Sequence, residues 1–129
     1  MQVKKRCHSA LVFASNYGVT LYAIAERLLM QIGAESEVSS LALNTLISGM
    51  VRNLQVIGIP DALTGPVVRG DVGTIEAHLE ALQLFDPTLA ALYRQLAIQT
   101  LPLATRRGVD TGLIETFLRK KMDDADNHT

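Results

Sequence analysis

Apolar residues recur at three- and four-residue intervals through most of this chain, and the runs bounded by glycine and proline are too long for strands. That spacing places side chains along one face of a helix. No segment alternates apolar and polar residues over strand length, so the chain is expected to be all-α. The first run extends from about His8 to Ile32 and carries Leu11, Val12, Val19, Ile24, Leu28 and Ile32, with Phe13, Leu21 and Leu29 beside them. This set is too broad for a single stripe, which predicts a helix buried on more than one side. Gly33 is its expected stop, because glycine enters the left-handed conformation without steric cost.

A second helix is expected to begin between Ser36 and Ser40, where hydroxyls are available as caps. Leu43, Leu46, Ile47, Met50, Val51 and Leu54 continue it until Gly58. Residues 59–71 hold two prolines and two glycines, which predicts a structured loop. Asp71 is placed to cap a third helix containing Ile75, Leu79 and Leu82. Asp86-Pro87 is a strong start for a fourth, with aspartate as cap and proline in the first turn. That helix carries Leu89, Leu92, Tyr93, Leu96 and Ala97, is expected to kink at Pro102, and should reach about Thr105 before Gly108. Asp110 or Thr111 caps a fifth helix through about Met122, burying Leu113, Ile114, Phe117 and Leu118, and the tail from Asp123 to Thr129 is expected to fray. The expectation is one helical domain, residues 1–129 with a core over about 8–122: a bundle of about five helices with one structured loop.

Length and composition set outer limits. A chain of 129 residues that is 48% hydrophobic and 19% charged fits one globular domain. A net charge of −1 offers no field to draw in a nucleic acid or an anionic membrane, so neither is expected as a partner. Lys4-Lys5-Arg6 and Arg119-Lys120-Lys121 read as solvated ends. Cys7 is the only cysteine, which rules out an intrachain disulfide and favours a reducing, cytoplasmic setting. No stretch of about eighteen apolar residues is present to span a bilayer. The basic start runs into a helix without a small-residue cleavage site, so no signal peptide is expected.

Few residues suggest chemistry on spacing alone. His8, His78 and His128 fall in separate segments with no paired-histidine motif, so no metal site is expected. Gly65 and Gly70 have the spacing of a phosphate-binding loop, but Asp71 follows where such a loop requires lysine. No strand followed by a glycine-rich turn is visible, so this chain carries no dinucleotide-binding fold of its own. The sharpest feature is the loop from Leu63 to Asp71. Thr64-Gly65-Pro66 lets backbone approach a ligand, Arg69 offers a planar fork to a carboxylate or phosphate, and Asp71 can orient Arg69 or accept a hydroxyl. The competing reading is a tight interhelical turn in which Asp71 is a cap and Arg69 is solvated. Asn16, among Phe13, Ala14 and Val19, faces either a cleft or a neighbouring helix, and His78 is either a general base or a satisfied surface histidine.

Taken together, His8-Ser9-Ala10, Phe13-Ala14-Ser15-Asn16-Tyr17, Ala62-Leu63-Thr64-Gly65-Pro66-Val67-Val68-Arg69-Gly70-Asp71 and His78-Leu79 form a recognisable set, with Tyr93 and Thr100-Leu101 downstream. From about His8 to Gly108 the chain resembles the C-terminal domain of unknown function that follows a Rossmann-like domain in NAD(P)-dependent oxidoreductases. That family is similar in plan to pyrroline-5-carboxylate reductase, ketopantoate reductase and the 6-phosphogluconate dehydrogenase group. The resemblance implies a fold like the C-terminal domain of 6-phosphogluconate dehydrogenase, and a helical domain that dimerises and lines the substrate cleft. It implies that Thr64, Gly65, Pro66, Arg69 and Asp71 border that cleft, with His78 from the third helix. It makes His8 and Asn16 candidates for polarising or catalytic groups.

The resemblance further implies NADP or NAD as cofactor, held by a Rossmann-like domain in cis or in trans, with none bound by this chain alone and no turnover by it in isolation. The resembled proteins carry their Rossmann domain before the point where this chain's methionine stands, so the chain is expected to be an excised domain or one encoded separately. A homodimer is expected too, since a mean hydropathy of +0.21 is high for a small monomer. The alternatives are a stand-alone, non-enzymatic helical dimerisation or interaction module, and a small ligand sensor using Arg69.

Overall fold

In a computed structural model, residues 1–126 are described, with side chains through residue 120. Among them the regular elements are helices, with no strand. Helix α1 spans Gln2–Leu11, a π-helical turn spans Val12–Asn16, and α2 spans Tyr17–Gln31. The residues at both joints keep right-handed helical dihedrals, so these segments form one continuous rod. Then come α3, Ser36–Val56; α4, Val72–Phe85; α5, Pro87–Arg106; and α6, Gly112–Asp126. Counting the rod once, the described residues hold the five helices that the periodicity predicts. The chain divides into two compact units, Met1–Arg52 and a second from Asn53 onward.

In the first unit the rod begins earlier than expected, so Lys4, Lys5 and Arg6 lie on helical turns. Lysine and arginine are good helix formers, and extending an existing helix gains a hydrogen bond for each residue fixed. The rod stops where expected. Gly33 sits at φ 87°, the N–H of Ala34 donates to Leu29 O at 3.1 Å, and the N–H of Gly33 donates to Met30 O at 3.1 Å. These two bonds form a Schellman motif, which satisfies the last carbonyls of the rod.

Burial on more than one side of the rod is not found. None of its residues is buried, and Phe13 and Val19 are each 71% exposed. One further helix in the same unit is too little to cover a rod on several sides, and α3 itself buries only Ser39 and Leu43. The π-helical turn changes the phase of the apolar set. It inserts one residue relative to α-helical spacing, rotating every later side chain by about 100°. Apolar residues before and after the turn therefore stand at different angles to one another from those that continuous α-helical spacing gives.

The second unit has a closed core. Val67, Ile75, Leu79, Ala90, Ala97, Leu101, Ala104, Ile114 and Leu118 form it, with Leu63, Leu82, Tyr93 and Phe117 packed against its edge. Helix α4 ends and α5 begins at Asp86, whose Oδ1 accepts from Thr88 N at 3.0 Å while Pro87 occupies the first turn. Alanines at 90, 97 and 104 leave space for a close approach of α5 to its neighbours. Helix α5 runs unbroken through Pro102, which removes one N–H from the ladder without ending the helix. Gly108 then closes it, with Val109 N donating to Ala104 O at 3.1 Å and Gly108 N to Thr105 O at 2.9 Å.

Helix α6 follows Asp110, whose carboxylate accepts from Gly112 N at 3.0 Å, while the Thr111 hydroxyl meets that of Thr105 at 3.3 Å. Arg94 ties α5 to α6 by donating to Leu118 O at 3.0 Å from a partly buried position. Helix α6 continues through Asp126, past the expected end at Met122, and Asn127, His128 and Thr129 lie outside the described residues. The expected burial of Leu113 is corrected, since it is exposed, and on α5 Leu92 and Leu96 are exposed as well. The inward face of α5 runs through 90, 97, 101 and 104, and that of α6 through 114 and 118, so their leucine neighbours fall outside.

This register is testable. Ile114 is 1% exposed and Leu113 is 80% exposed. Ile114→Ala should cost about 2–5 kcal/mol in denaturant unfolding, and Leu113→Ala should stay within about 0.5 kcal/mol of wild type. Equal losses would show that the face is wrongly placed.

Candidate functional site

The loop between α3 and α4 is a formed structure with its own hydrogen bonds. Gly58, at φ 64°, ends α3, and a cis Ile59–Pro60 bond follows. Ala62 N donates to Gly58 O at 2.8 Å and Leu63 N to Pro60 O at 3.0 Å. Gly70 N donates to Val67 O at 3.1 Å and Asp71 N to Pro66 O at 2.9 Å. Gly65 and Gly70 have φ of 98° and 67°, values at which any other side chain is strained. A Cβ built at either meets nothing within 4 Å, so both glycines serve the backbone path rather than a close approach within the chain.

Two anchors hold the loop to the second unit. Val67 is buried in the core beside the α4 residues Ile75 and Leu79. Arg107, at the end of α5, donates from Nη1 to Leu63 O at 2.7 Å and places Nε 4.0 Å from Asp61 Oδ1. This second anchor was not visible in the sequence. Arg107 lies far along the chain from the loop, and only the folded path brings the two together. Removing it in Arg107→Ala should speed amide exchange and proteolysis across residues 59–66 while leaving far-ultraviolet dichroism unchanged; unaltered exchange there would mean that Val67 suffices.

Asp71 is the cap that the sequence suggests. Its Oδ1 accepts from Thr74 N at 3.0 Å and its Oδ2 from Thr74 Oγ1 at 2.7 Å. Both oxygens are thereby engaged at the start of α4, where a negative charge is also favoured by the helix dipole. The Thr74 hydroxyl and then the Thr74 N–H hold the carboxyl below its ordinary pKa of 3.8, with smaller help from the charges of Arg69 and His78. The contribution of this cap to stability is therefore fully present above the unfolded value and is lost as pH falls through the lower folded one. Thr74→Val, which keeps the N–H and removes the hydroxyl, should raise the Asp71 titration midpoint in a carboxyl NMR titration. An unmoved midpoint would show that the hydroxyl is not what holds it down.

His78 lies two helical turns beyond Asp71 on α4, and Tyr93 comes from α5. His78 Nδ1 and Tyr93 Oη are 2.9 Å apart, and the rings meet edge to face with centroids 5.8 Å apart. His78 is exposed and Tyr93 is partly buried, which pushes the Tyr93 hydroxyl pKa upward. Arg69 is exposed and, among the described residues, its guanidinium has no hydrogen-bond partner. Its charge and that of His78 both act on the Asp71 carboxyl. Arg69, Asp71, Thr74, His78 and Tyr93 thus make a polar strip from the loop along α4 to the flank of α5.

The structure brings together only some of the sequence candidates. Thr64, Gly65, Pro66, Arg69 and Asp71 share the loop, and His78 joins them through α4. Thr64 is exposed, whereas Gly65 and Pro66 are half-buried. His8 and Asn16 belong to the first unit and are exposed on the rod. Asn16 closes the π-helical turn, and its carbonyl accepts from Thr20 Oγ1 at 3.4 Å. Sequence reasoning singled out Tyr93 only as part of a resemblance, since a pairing fifteen positions away from His78 has no local signature. Among the described residues no group of His, Cys, Asp and Glu side chains is placed to hold a metal ion. An open concavity of about 450 Å³ lies along α3, lined by Asn44, Thr45, Ser48, Gly49 and Arg52, and takes in none of the candidate residues.

An all-helical chain with a stapled interhelical loop leading into a capped helix is the class that these features define. A family described as a domain of unknown function (DUF2520) matches residues 1–100, and the chain belongs to that family. The match takes in the rod, α3, the loop, α4 and most of α5. No curated protein and no solved structure matches the chain.

Proposed function

We propose that this chain is the dimerisation and substrate-cleft domain of an NAD(P)-dependent oxidoreductase, working with a Rossmann-like domain supplied in cis or in trans. NADP or NAD would be held by that partner domain, and hydride transfer would belong to the cofactor. In this reading Arg69 anchors a carboxylate or phosphate of the substrate, and Thr64, Gly65 and Pro66 shape the cleft beside it. His78 supplies a polar contact there, and His8 and Asn16, on the rod, are polarising candidates through the resemblance alone. The lone cysteine fits a cytoplasmic setting.

The observation that carries the proposal is the uncovered apolar surface of the first unit. Leu11, Phe13, Val19, Ile32, Leu41 and Leu46 are all more than half exposed on the rod, its end and α3. Side chains of this kind each gain about 1.5–3 kcal/mol from full burial, so a partner surface that covers several of them is favoured. A second copy of the chain is the occupant we assign, forming a homodimer. The resemblance of the loop and rod motifs to oxidoreductase C-terminal domains supports the enzymatic half of the reading. So does the π-helical turn on Val12–Asn16, because such turns often occur at functional sites.

A second reading, a non-enzymatic helical dimerisation module, is favoured by Asp71, whose two oxygens are both engaged by Thr74. Two measurements separate the readings. Sedimentation of the chain at micromolar concentration should give twice its 14.0 kDa mass, and Leu46→Glu or Phe13→Glu should weaken the assembly by about tenfold or more, the equivalent of about 1.4 kcal/mol. A monomer at all concentrations removes the dimer from both readings. The protein captured from its source cells should bind NADPH or NADH in a fluorescence titration; dimerisation without cofactor binding would leave the interaction module.

A further inference from the structure

The resemblance assigns no role to the contact between His78 and Tyr93. The two side chains come from different helices and meet with Nδ1 and Oη 2.9 Å apart. A neutral imidazole has one nitrogen bearing a proton and one without, and the partner of one nitrogen fixes the state of the other. A phenol is a better donor than acceptor, and burial pushes the Tyr93 hydroxyl further from losing its proton. With the hydroxyl as donor to Nδ1, the proton of a neutral ring would sit on Nε2, on the exposed side chain. Arg69, whose charge acts with that of His78 on the Asp71 carboxyl, is a second donor group with no hydrogen-bond partner among the described residues. Asp71, two residues beyond Arg69, has its oxygens engaged by Thr74.

We propose that Tyr93 is a positioning residue that fixes His78 as the Nε2–H tautomer, so that His78 and Arg69 together present donors to the oxygens of a carboxylate ligand. The inference rests on reading the loop and α4 as the wall of a ligand cleft. The ring contact alone would serve packing and needs no hydroxyl. The hydroxyl adds what packing does not require, a defined proton position on an exposed imidazole.

The test is a nitrogen-15 NMR measurement on the full chain at alkaline pH, where a histidine ring is neutral. In the wild type, Nε2 of His78 should appear protonated and Nδ1 unprotonated. In Tyr93→Phe, which keeps the edge-to-face ring, this preference should fall by about fivefold, the weight of one ordinary hydrogen bond. A wild-type ring protonated at Nδ1, or an unchanged preference in Tyr93→Phe, overturns the positioning role. Sodium acetate is then titrated at constant ionic strength, with chloride as the control. The His78 ring signals should shift with acetate in the wild type, and several times less in Arg69→Ala and in Tyr93→Phe. A correct tautomer whose signals move no more with acetate than with chloride overturns the carboxylate assignment. Neither readout involves a nicotinamide cofactor or a second copy of the chain, so failure here is distinct from failure of the oxidoreductase reading.

Discussion

The carboxylate of Asp71 fixes where α4 begins, and much of the second unit follows from that start. Its bonds to the N–H and hydroxyl of Thr74 commit the backbone to a helix at Val72. A helix that begins there turns Ile75 and Leu79 into the core, where Val67 of the loop meets them. The same helical phase brings His78 to Tyr93 rather than to the apolar interior. Moving the cap by one residue would rotate α4 by about 100° and separate each of these contacts. One side chain thus sets both the core register and the composition of the polar strip.

The two units meet the demand for apolar burial differently. The second encloses its own core between three helices and a loop. The first lays out a rod and α3 with most of their large apolar side chains in contact with solvent. A helix hydrophobic on several faces is stable in water only when other elements cover it. Within the first unit, burial is confined to Ser39 and Leu43 of α3.

Much of the fold was legible because the signals were local. Gly33 and Gly108 close helices through bonds that reach only a few residues back, and Asp71 and Asp86 cap through residues two or three ahead. The π-helical turn was not legible, since Val12–Asn16 has no composition that distinguishes an extra residue per turn. The buried face of α6 was misread at Leu113, which is exposed. On α5 Ala90, Ala97 and Ala104 turn inward while Leu92 and Leu96 are exposed, a choice among apolar residues that packing density makes and spacing alone does not. At the site, the loop residues were readable as a motif. Tyr93 and Arg107 were not, because their partners lie across the fold, at His78 and Leu63.

Arg107 has a further consequence for where the domain can be cut. The family match ends at residue 100, within α5, whereas the guanidinium that holds Leu63 lies past that limit. So do Leu101, Ala104, Ile114 and Leu118, which close the core beneath the loop. A fragment trimmed to the family boundary would keep every residue of the loop yet lose one of its two anchors and part of the floor under the other. The smallest piece able to hold the loop in shape therefore extends through α6, and the shared sequence motif is shorter than the structure that supports it.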